Sequence, residues 1–411
     1  MEPIRYRVGG LDVHRDLVVA CALILDGRRR RTTKERFATT TAGLGQLASW
    51  LADQGVTTVA MEATGVYWKP VYYALEGVFE EVQLFNAHHV RNVPGRKTDM
   101  SDAEWLADVV AHGMVRPSMV PSPDQRELRE LTRYRKTQID IRAQEIQRLE
   151  KVLQDAGIKL SSVTSKVLGR STRDMIEALI GGERDPVVLA DKARTRMRAK
   201  IPQLQEALVG RFGAHHAAVA RQILAHIDFL DAAIDALTQE VLARLGPFQG
   251  AVELACTMPG IDATTAQVLV AEAGADMGRY PSAGHLAAWV GLAPANNQSA
   301  GKHRRAGTRH GSRWLRRTMI EAAWAASRSS GTYFGAQFRR LAARRGPNKA
   351  AVAVAHSMTV ALWHMLSTGT PYQELGADWF IRRRDPDAET RRLVKRLELL
   401  GHHVTLAPAA A

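Results

Sequence analysis

Asp12, Glu62, Asp99 and Asp102 are the residues of this chain whose type and order suit work on a phosphate. Asp12 lies in "GLDVHRD", just before a polar turn at His14–Asp16. Glu62 ends the apolar run in "TTVAMEATG". Asp99 and Asp102 stand three apart in "GRKTDMSDAEWLA", where a helix starts near Ser101, so they can share a face. Converging carboxylates suit hard divalent cations, which prefer oxygen ligands. Two such ions activate a nucleophile and stabilise the leaving oxygen in phosphoryl transfer. Taken singly, Asp12 reads as a turn residue and Asp99 as a helix cap. Glu62 is harder to assign to structure, because a carboxylate ending a buried strand needs a partner.

A second stretch, "GLAPANNQSAGKHRRAGTRHG", sets Ser299 before a basic block. Lys302, Arg304, Arg305, Arg309, Arg313, Arg316 and Arg317 follow with no acidic residue among them, which favours binding an anion. A serine hydroxyl is a poor nucleophile without a base or a metal. His303 and His310 are near but at no diagnostic spacing, and no Ser-His-Asp arrangement can be read. On the residues alone, a serine in a glycine-rich loop is ordinary.

The elements that must hold these groups read as follows. Two apolar strands span 8–25, then come a helix at about 42–54, a strand ending at Glu62, the helix "VYWKPVYYALEG", the strand "VQLFN" and a helix from Ser101. That alternation predicts an α/β domain over 1–124. Carboxylates on an early strand, a later strand and then a helix are in the order an RNase H-like nuclease requires. Residues 125–250 predict a helical, coiled-coil segment. Leu128, Leu131, Ile139, Ile146, Leu149 and Leu153 form one seam, with Arg135 and Arg142 at other seam positions; 203–245 supplies the other through Leu204, Leu208, Ile223, Ile227, Leu230, Ile234 and Leu237. A mainly α domain is expected over 251–370, and a charged tail over 371–411. Within it, "TMPGIDATTAQVLVAEAG" has a helix–hairpin–helix look, with a turn suited to phosphate oxygens.

The net charge of +14 and pI of about 10.1 point to a polyanionic partner. Cys21 and Cys256 sit among apolar residues and predict core thiols, not a disulfide or metal framework, which fits a reducing cytoplasm. The N-terminus shows no signal-peptide pattern. "AAVAVAHSMTVALWHML" is interrupted by histidines and short for a membrane span, so a buried helix is expected. His14, His88, His89 and His112 lack ligand spacing, and Trp50, Trp68 and Trp105 fit helix core positions.

"GLDVHRD", "AMEATGVYW" and "GRKTDMSDAEWLA" resemble the three signature blocks of the DEDD insertion-sequence transposases, recombinases with a RuvC-like first domain related to pilin-gene invertases. Residues 7–112 carry this half of the resemblance. It implies that Asp12, Glu62, Asp99 and Asp102 bind Mg2+ or Mn2+ as an acidic quartet. Gly291, Leu292, Pro294, Ser299, Gly301, Gly311, Leu315 and Arg316 resemble the same family's C-terminal block. There the resemblance implies that Ser299 is the nucleophile, forming a transient phosphoserine link to DNA. It further implies DNA partners at element ends and target, a guide RNA, and a homo-oligomer, dimer or tetramer. Two rival readings remain: a metal-dependent junction-resolving nuclease with water as nucleophile, and a non-catalytic nucleic-acid-binding protein.

Overall fold

A computed structural model covers the chain and describes all residues except 1, 28, 95–100, 296–297, 300–301, 304–306, 383–384 and 408–411; for 298–299, 302–303 and 386 only the backbone is described. The chain divides into two compact units, 1–121 and 122–411.

The first unit is built on one sheet. Strands β1 (Arg7–Val13), β2 (Leu17–Asp26) and β3 (Arg29–Ala38) run antiparallel, while β4 (Thr58–Glu62) and β5 (Glu81–Phe85) lie parallel to β1, giving the order β3-β2-β1-β4-β5. Helices α1 (Thr41–Asp53) and α2 (Trp68–Leu75) supply Leu44, Leu47, Val71 and Leu75 to one face, where they meet Leu11, Val18, Val59 and Met61. A short α3 (Ala87–Arg91) precedes α4 (Asp102–Ala111), which covers the other face against Val8, Cys21, Leu23, Ala60 and Phe85. Burial on both faces explains why β1, β2 and β4 read as nearly unbroken apolar runs. The result is a mixed α/β sheet consistent with the RNase H-like class.

Strand β3 was not expected from the sequence, which predicts only two strands before α1. Its "RRRTTKERFA" is mostly exposed, as suits an edge strand kept from pairing by charge. Arg30 and Lys34 also fasten it across the sheet face, reaching Asp108 at 2.8 Å and Glu104 at 2.6 Å on α4.

Helix α4 can lie so close to β1 because of Gly10. A Cβ there would meet the Ala103 carbonyl oxygen at 2.0 Å and the Ala107 nitrogen at 2.5 Å. Both are backbone atoms of a helix and cannot turn aside. Gly10→Ala is therefore expected to destabilise the protein by about 3 kcal/mol or more. An unchanged denaturant midpoint for the variant would overturn this.

The second unit is helical. Helices α5 (Pro123–Asp155) and α10 (Ala214–Ala243) pack antiparallel, with α6 (Leu160–Val163), α7 (Arg170–Ile180), α8 (Pro186–Asp191) and α9 (Ile201–Ala207) between them in sequence. Then come α11 (Gln249–Cys256), α12 (Ala263–Ala273), α13 (Ala283–Val290), the paired β6 (Gln298–Ser299) and β7 (Lys302–His303), α14 (Arg313–Ser327), α15 (Tyr333–Arg345) and α16 (Pro347–Thr368). Short α17 (Trp379–Arg382) and α18 (Pro386–Leu399) follow. Trp379 and Phe380 pack on Tyr333, with ring centroids 5.1 and 5.0 Å apart.

The α5–α10 pair carries an apolar cluster at each end. Leu149 and Leu153 join Ile223, Ile227 and helices α6–α9 at one end. Leu128, Val241 and Leu245 join α11–α16 at the other. The seam between is largely polar: Arg135 is buried in it as expected, and so is Leu230 of α10, but most of the other apolar residues expected at its middle are not fully buried. Thr132, Arg135, Gln138 and Glu145 are its buried members on α5, while Leu131, Ile139 and Ile146 lie to the side. Arg142 pairs with Asp231, Glu145 faces His226 at 3.4 Å, and Arg135 reaches Thr238 at 3.5 Å. Leu204 and Leu208 belong to α9 and its cap rather than to α10, and both are buried in the distal cluster.

Two further expectations are corrected. Cys256 is exposed, one step past the buried Ala255 on α11; only Cys21 is a core thiol. Helix α16 is 22 residues long, so it has the length and apolarity to cross a membrane after all. Its Ala351, Val354, Met358 and Leu362 nevertheless lie in the α11–α16 core.

Candidate active site

The sheet register brings two of the expected carboxylates side by side. Leu11 of β1 is level with Met61 of β4, so Asp12 and Glu62 follow at equivalent positions on neighbouring parallel strands. Such strands lie about 4.8 Å apart. Side chains alternate along a strand, so Asp12 shares the face of Gly10, and Glu62 that of Ala60. That is the face α4 covers. Helix α4 runs against β1: Ile4 and Arg5 donate to the Ala111 carbonyl at its C-terminal end, and Gly10 meets Ala103 near its start. Asp102, in the first turn of α4, is thereby carried to the same end and face as Asp12 and Glu62. Asp99 lies outside the described residues.

These donors are all carboxylate oxygens, the set a hard divalent cation takes. Asp12 is partly exposed and holds His14 Nε2 at 3.1 Å, giving that histidine a role in fixing the carboxylate. Asp108 and Glu104, by contrast, are committed to Arg30 and Lys34 and serve to seat α4. Cys21 lies on the same face; burial first, then Glu104, pushes its thiol up to about 12, so it stays protonated.

Among the described residues, a tighter gathering of possible ligands occurs elsewhere, at Asp155, His215 and His216, whose donor atoms lie within 4.8 Å of one another. The three described carboxylates of the first unit share an end and a face but are not drawn together that closely. The histidine cluster has a structural explanation. The Gly213 N–H donates to His216 Nδ1 at 3.0 Å, which leaves Nε2–H to donate to Asp155 at 2.9 Å. Both ring nitrogens are engaged in joining the start of α10 to the end of α5.

Ser299 does not sit in an open loop, as the sequence suggests, but on a paired strand. Its backbone in β6 stands opposite Lys302 in β7, and Gln298 stands opposite His303. The base of this hairpin is clasped by a bridge between Pro294 and Thr308. Ala295 N–H donates to Gly307 at 2.9 Å, and Arg309 N–H to Ala293 at 3.0 Å. The side chains of Ser299 and Lys302 are not described, and Arg304 and Arg305 lie outside the described residues.

The remaining cations of the basic block divide by role. Arg309 is exposed at the hairpin base. Arg313 lies over the Trp314 ring at 5.3 Å. Arg316 turns inward, donating to the Gly291 carbonyl and Thr308 Oγ1, and so braces the hairpin. Arg317 forms a two-pronged pair with Asp140 at 2.6 and 2.8 Å and also reaches Glu321.

The turn between α11 and α12 is explained by packing. Gly260 has φ +88°, and a Cβ there would strike the Ala322 carbonyl of α14 at 2.5 Å. Asp262 caps α12, accepting from Thr265 N–H at 2.8 Å. A carboxylate thus occupies the position that the helix–hairpin–helix reading offered to a phosphate.

Glu272 of α12 was not singled out in the sequence, although a fully buried glutamate needs a partner. Arg133 of α5 grips it at 2.6 and 2.9 Å, and Ser312, the cap of α14, donates to it at 3.3 Å. It therefore joins α5 and α12 to the helix that follows the hairpin. Glu272→Gln is expected to cost about 3–5 kcal/mol, because Arg133 and the half-buried Arg129 lose their counter-charge. Denaturant melts of both proteins check this, and a difference under about 1 kcal/mol would exclude a load on this pair.

Comparison with known proteins covers segments of both units. Residues 9–158 match a family model described as a transposase, and residues 252–339 match one described as the transposase IS116/IS110/IS902 family. The transposase for insertion sequence element IS1111A of Coxiella burnetii is 24% identical over 377 residues, covering 89% of this chain and 91% of that one. A probable family 20 transposase of Pseudomonas aeruginosa is 26% identical over 77% of this chain and 85% of its own. An insertion element IS110 protein of Streptomyces coelicolor is 35% identical over 28% of this chain and 29% of its own length. The first half with its paired carboxylates and the second with its serine-bearing hairpin both fall within matched segments, and the chain belongs to the IS110 family of insertion-sequence transposases.

Proposed function

We propose that this protein cuts and rejoins DNA by phosphoryl transfer, using the acidic set of the first unit and Ser299 of the second. The observation that carries the reading is the register that puts Asp12 and Glu62 level on adjacent parallel strands, under the helix that begins with Asp102. Asp12, Glu62, Asp99 and Asp102 would hold the cation, Mg2+ or Mn2+. When bound, it supplies charge neutralisation at the phosphate and favours ionised oxygens there.

The chain's own residues do the rest. His14 steadies the Asp12 carboxylate. The basic residues of the hairpin, with Arg309 and Arg313, hold the DNA backbone by charge, which gives affinity without a base code. Ser299 Oγ forms a bond to the scissile phosphorus as the bond from phosphorus to the departing sugar oxygen breaks. The proton lost by Ser299 is matched by one gained on that oxygen. The phosphoserine link preserves a phosphoester for a strand hydroxyl to attack later, which permits rejoining. Because basic contacts do not read sequence, target choice is assigned to a guide RNA, and assembly to a homo-oligomer; both follow the family resemblance and the charge of +14.

The test is incubation of the full chain, with RNA transcribed from the element, and labelled element-end DNA in Mg2+ or in chelator. A covalent protein–DNA band that requires the cation supports the reading. Cut DNA with free ends and no adduct would replace it with a water-using junction nuclease.

A further inference from the structure

The second unit contains an open cleft of about 1080 Å³ between the base of the hairpin and one face of α16. It lies at the upper end of the range of ligand pockets, about 300–1,000 Å³. Its walls are apolar at Leu292 and Val352. Gln337 lies at its lining, 91% removed from solvent. The Gln337 Nε2 group donates to Ser357 Oγ at 2.9 Å, and Ser357 in turn donates to the Ala353 carbonyl at 3.3 Å. Gln337 Oε1 has no partner. Turning the amide over would exchange the ends and still leave one group unmatched. A buried unmatched amide end costs about 1–3 kcal/mol; this one is closed off from solvent, so a ligand in the cleft reaches it once the Gln337 side chain turns. His356 stands beside it, half-buried, with its pKa lowered by that burial, so it offers one donor and one acceptor rather than a charge. Lys349 is exposed at the rim.

We propose that this cleft takes one unstacked nucleotide of a DNA strand, with its base between Leu292 and Val352, its edge on Gln337 and His356, and its phosphate at Lys349. The chemistry matches a nucleobase: apolar faces, a hydrogen-bonding rim and an attached anion. Proteins that act on DNA hold extruded bases between apolar side chains in this way, at a cost of a few kcal/mol for unstacking. Position selects DNA over RNA. Pro294, Gly307 and Thr308 line the cleft and also form the clasped base of the hairpin bearing Ser299. A strand presented to that hairpin therefore passes the mouth of the cleft. This rests on the phosphoryl-transfer reading for its choice of DNA, but it concerns a separate set of side chains.

The full chain is irradiated with short single-stranded DNA carrying iododeoxyuridine, and the crosslinked peptide is identified by mass spectrometry. The expected crosslink falls on the segment 349–357, with His356 as the attached residue. Val352→Trp, which fills the cleft, reduces it to background while melting at the wild-type temperature. Gln337→Leu, a second variant of similar volume, reduces it by about tenfold, the value of one hydrogen bond to the base. Crosslinks confined to other segments, or equal in Val352→Trp, overturn the cleft assignment. Crosslinking by iodouridine RNA alone overturns the choice of DNA. Retained DNA with no cleft crosslink leaves the phosphoryl-transfer reading standing; failure to retain DNA at all overturns both.

Discussion

Ser299→Ala is expected to abolish the covalent protein–DNA adduct while leaving DNA retention unchanged. The substitution removes one oxygen from a strand position whose backbone pairing with Lys302 needs no side chain. Alanine fits an extended backbone, and the clasp at Pro294–Thr308 and the brace from Arg316 lie elsewhere. The hairpin and its cations therefore remain. If Ser299 Oγ is the attacking atom, no neighbouring group replaces it at the same phosphorus. The adduct should fall by at least about 10³-fold, to the limit of detection. A quantitative gel of labelled DNA retained on denatured protein reads this directly. An undiminished adduct from Ser299→Ala would sink the nucleophile assignment, and a loss of DNA retention alongside it would show that the hairpin had been disturbed instead.

Glu62→Gln should remove cation-dependent cleavage by about 10³-fold, equivalent to roughly 4 kcal/mol of transition-state stabilisation. Glutamine keeps the shape and the hydrogen-bonding reach of glutamate but loses its charge. Position 62 closes β4 beside Phe85 of β5 and level with the residue after Leu11 of β1, so the fold should tolerate it. Asp12→Asn should behave alike, because the two positions are equivalent on adjacent strands. Neither substitution should weaken DNA retention; each removes a negative charge from a protein of +14 and slightly favours it. Cleavage rates measured across a Mg2+ titration separate the cases. A wild-type rate from Glu62→Gln at saturating cation would exclude the acidic set from the chemistry.

The apolar strands and helices of the first unit are legible because burial on both faces writes itself as composition. Asp12 and Glu62 stand out for the same reason, as carboxylates at the ends of apolar runs. Strand β3 is not legible: an exposed edge carries charges, and its ion pairs to α4 lie seventy or more residues away. The hairpin around Ser299 is hidden because two pairs of residues and a clasp suffice to form it, too few to show alternation. The polar seam of α5 is legible only in part: Arg135 stands at an expected seam position, but leucines at near-heptad spacing suggest an apolar centre. Arg135 and Glu145 occupy it, and their partners Thr238 and His226 can be found only once α5 and α10 are set in register. Cleft residues such as Gln337 and His356 come from different helices, and nothing local marks them. Gly10 was readable in principle, since a glycine inside a strand signals a close backbone approach.

The antiparallel pair of α5 and α10 has the geometry of a lever. Thirty-three residues of α5 extend about 50 Å, so the cluster at its far end lies well beyond the reach of the α11–α16 core. A tilt of a few degrees at one end displaces the other by several ångströms. The charged contacts along the middle resist sliding, because moving α10 by one turn would part Arg142 from Asp231 and Glu145 from His226 together. A wholly apolar seam would let the rods slip more easily; these paired contacts hold α5 and α10 in one register.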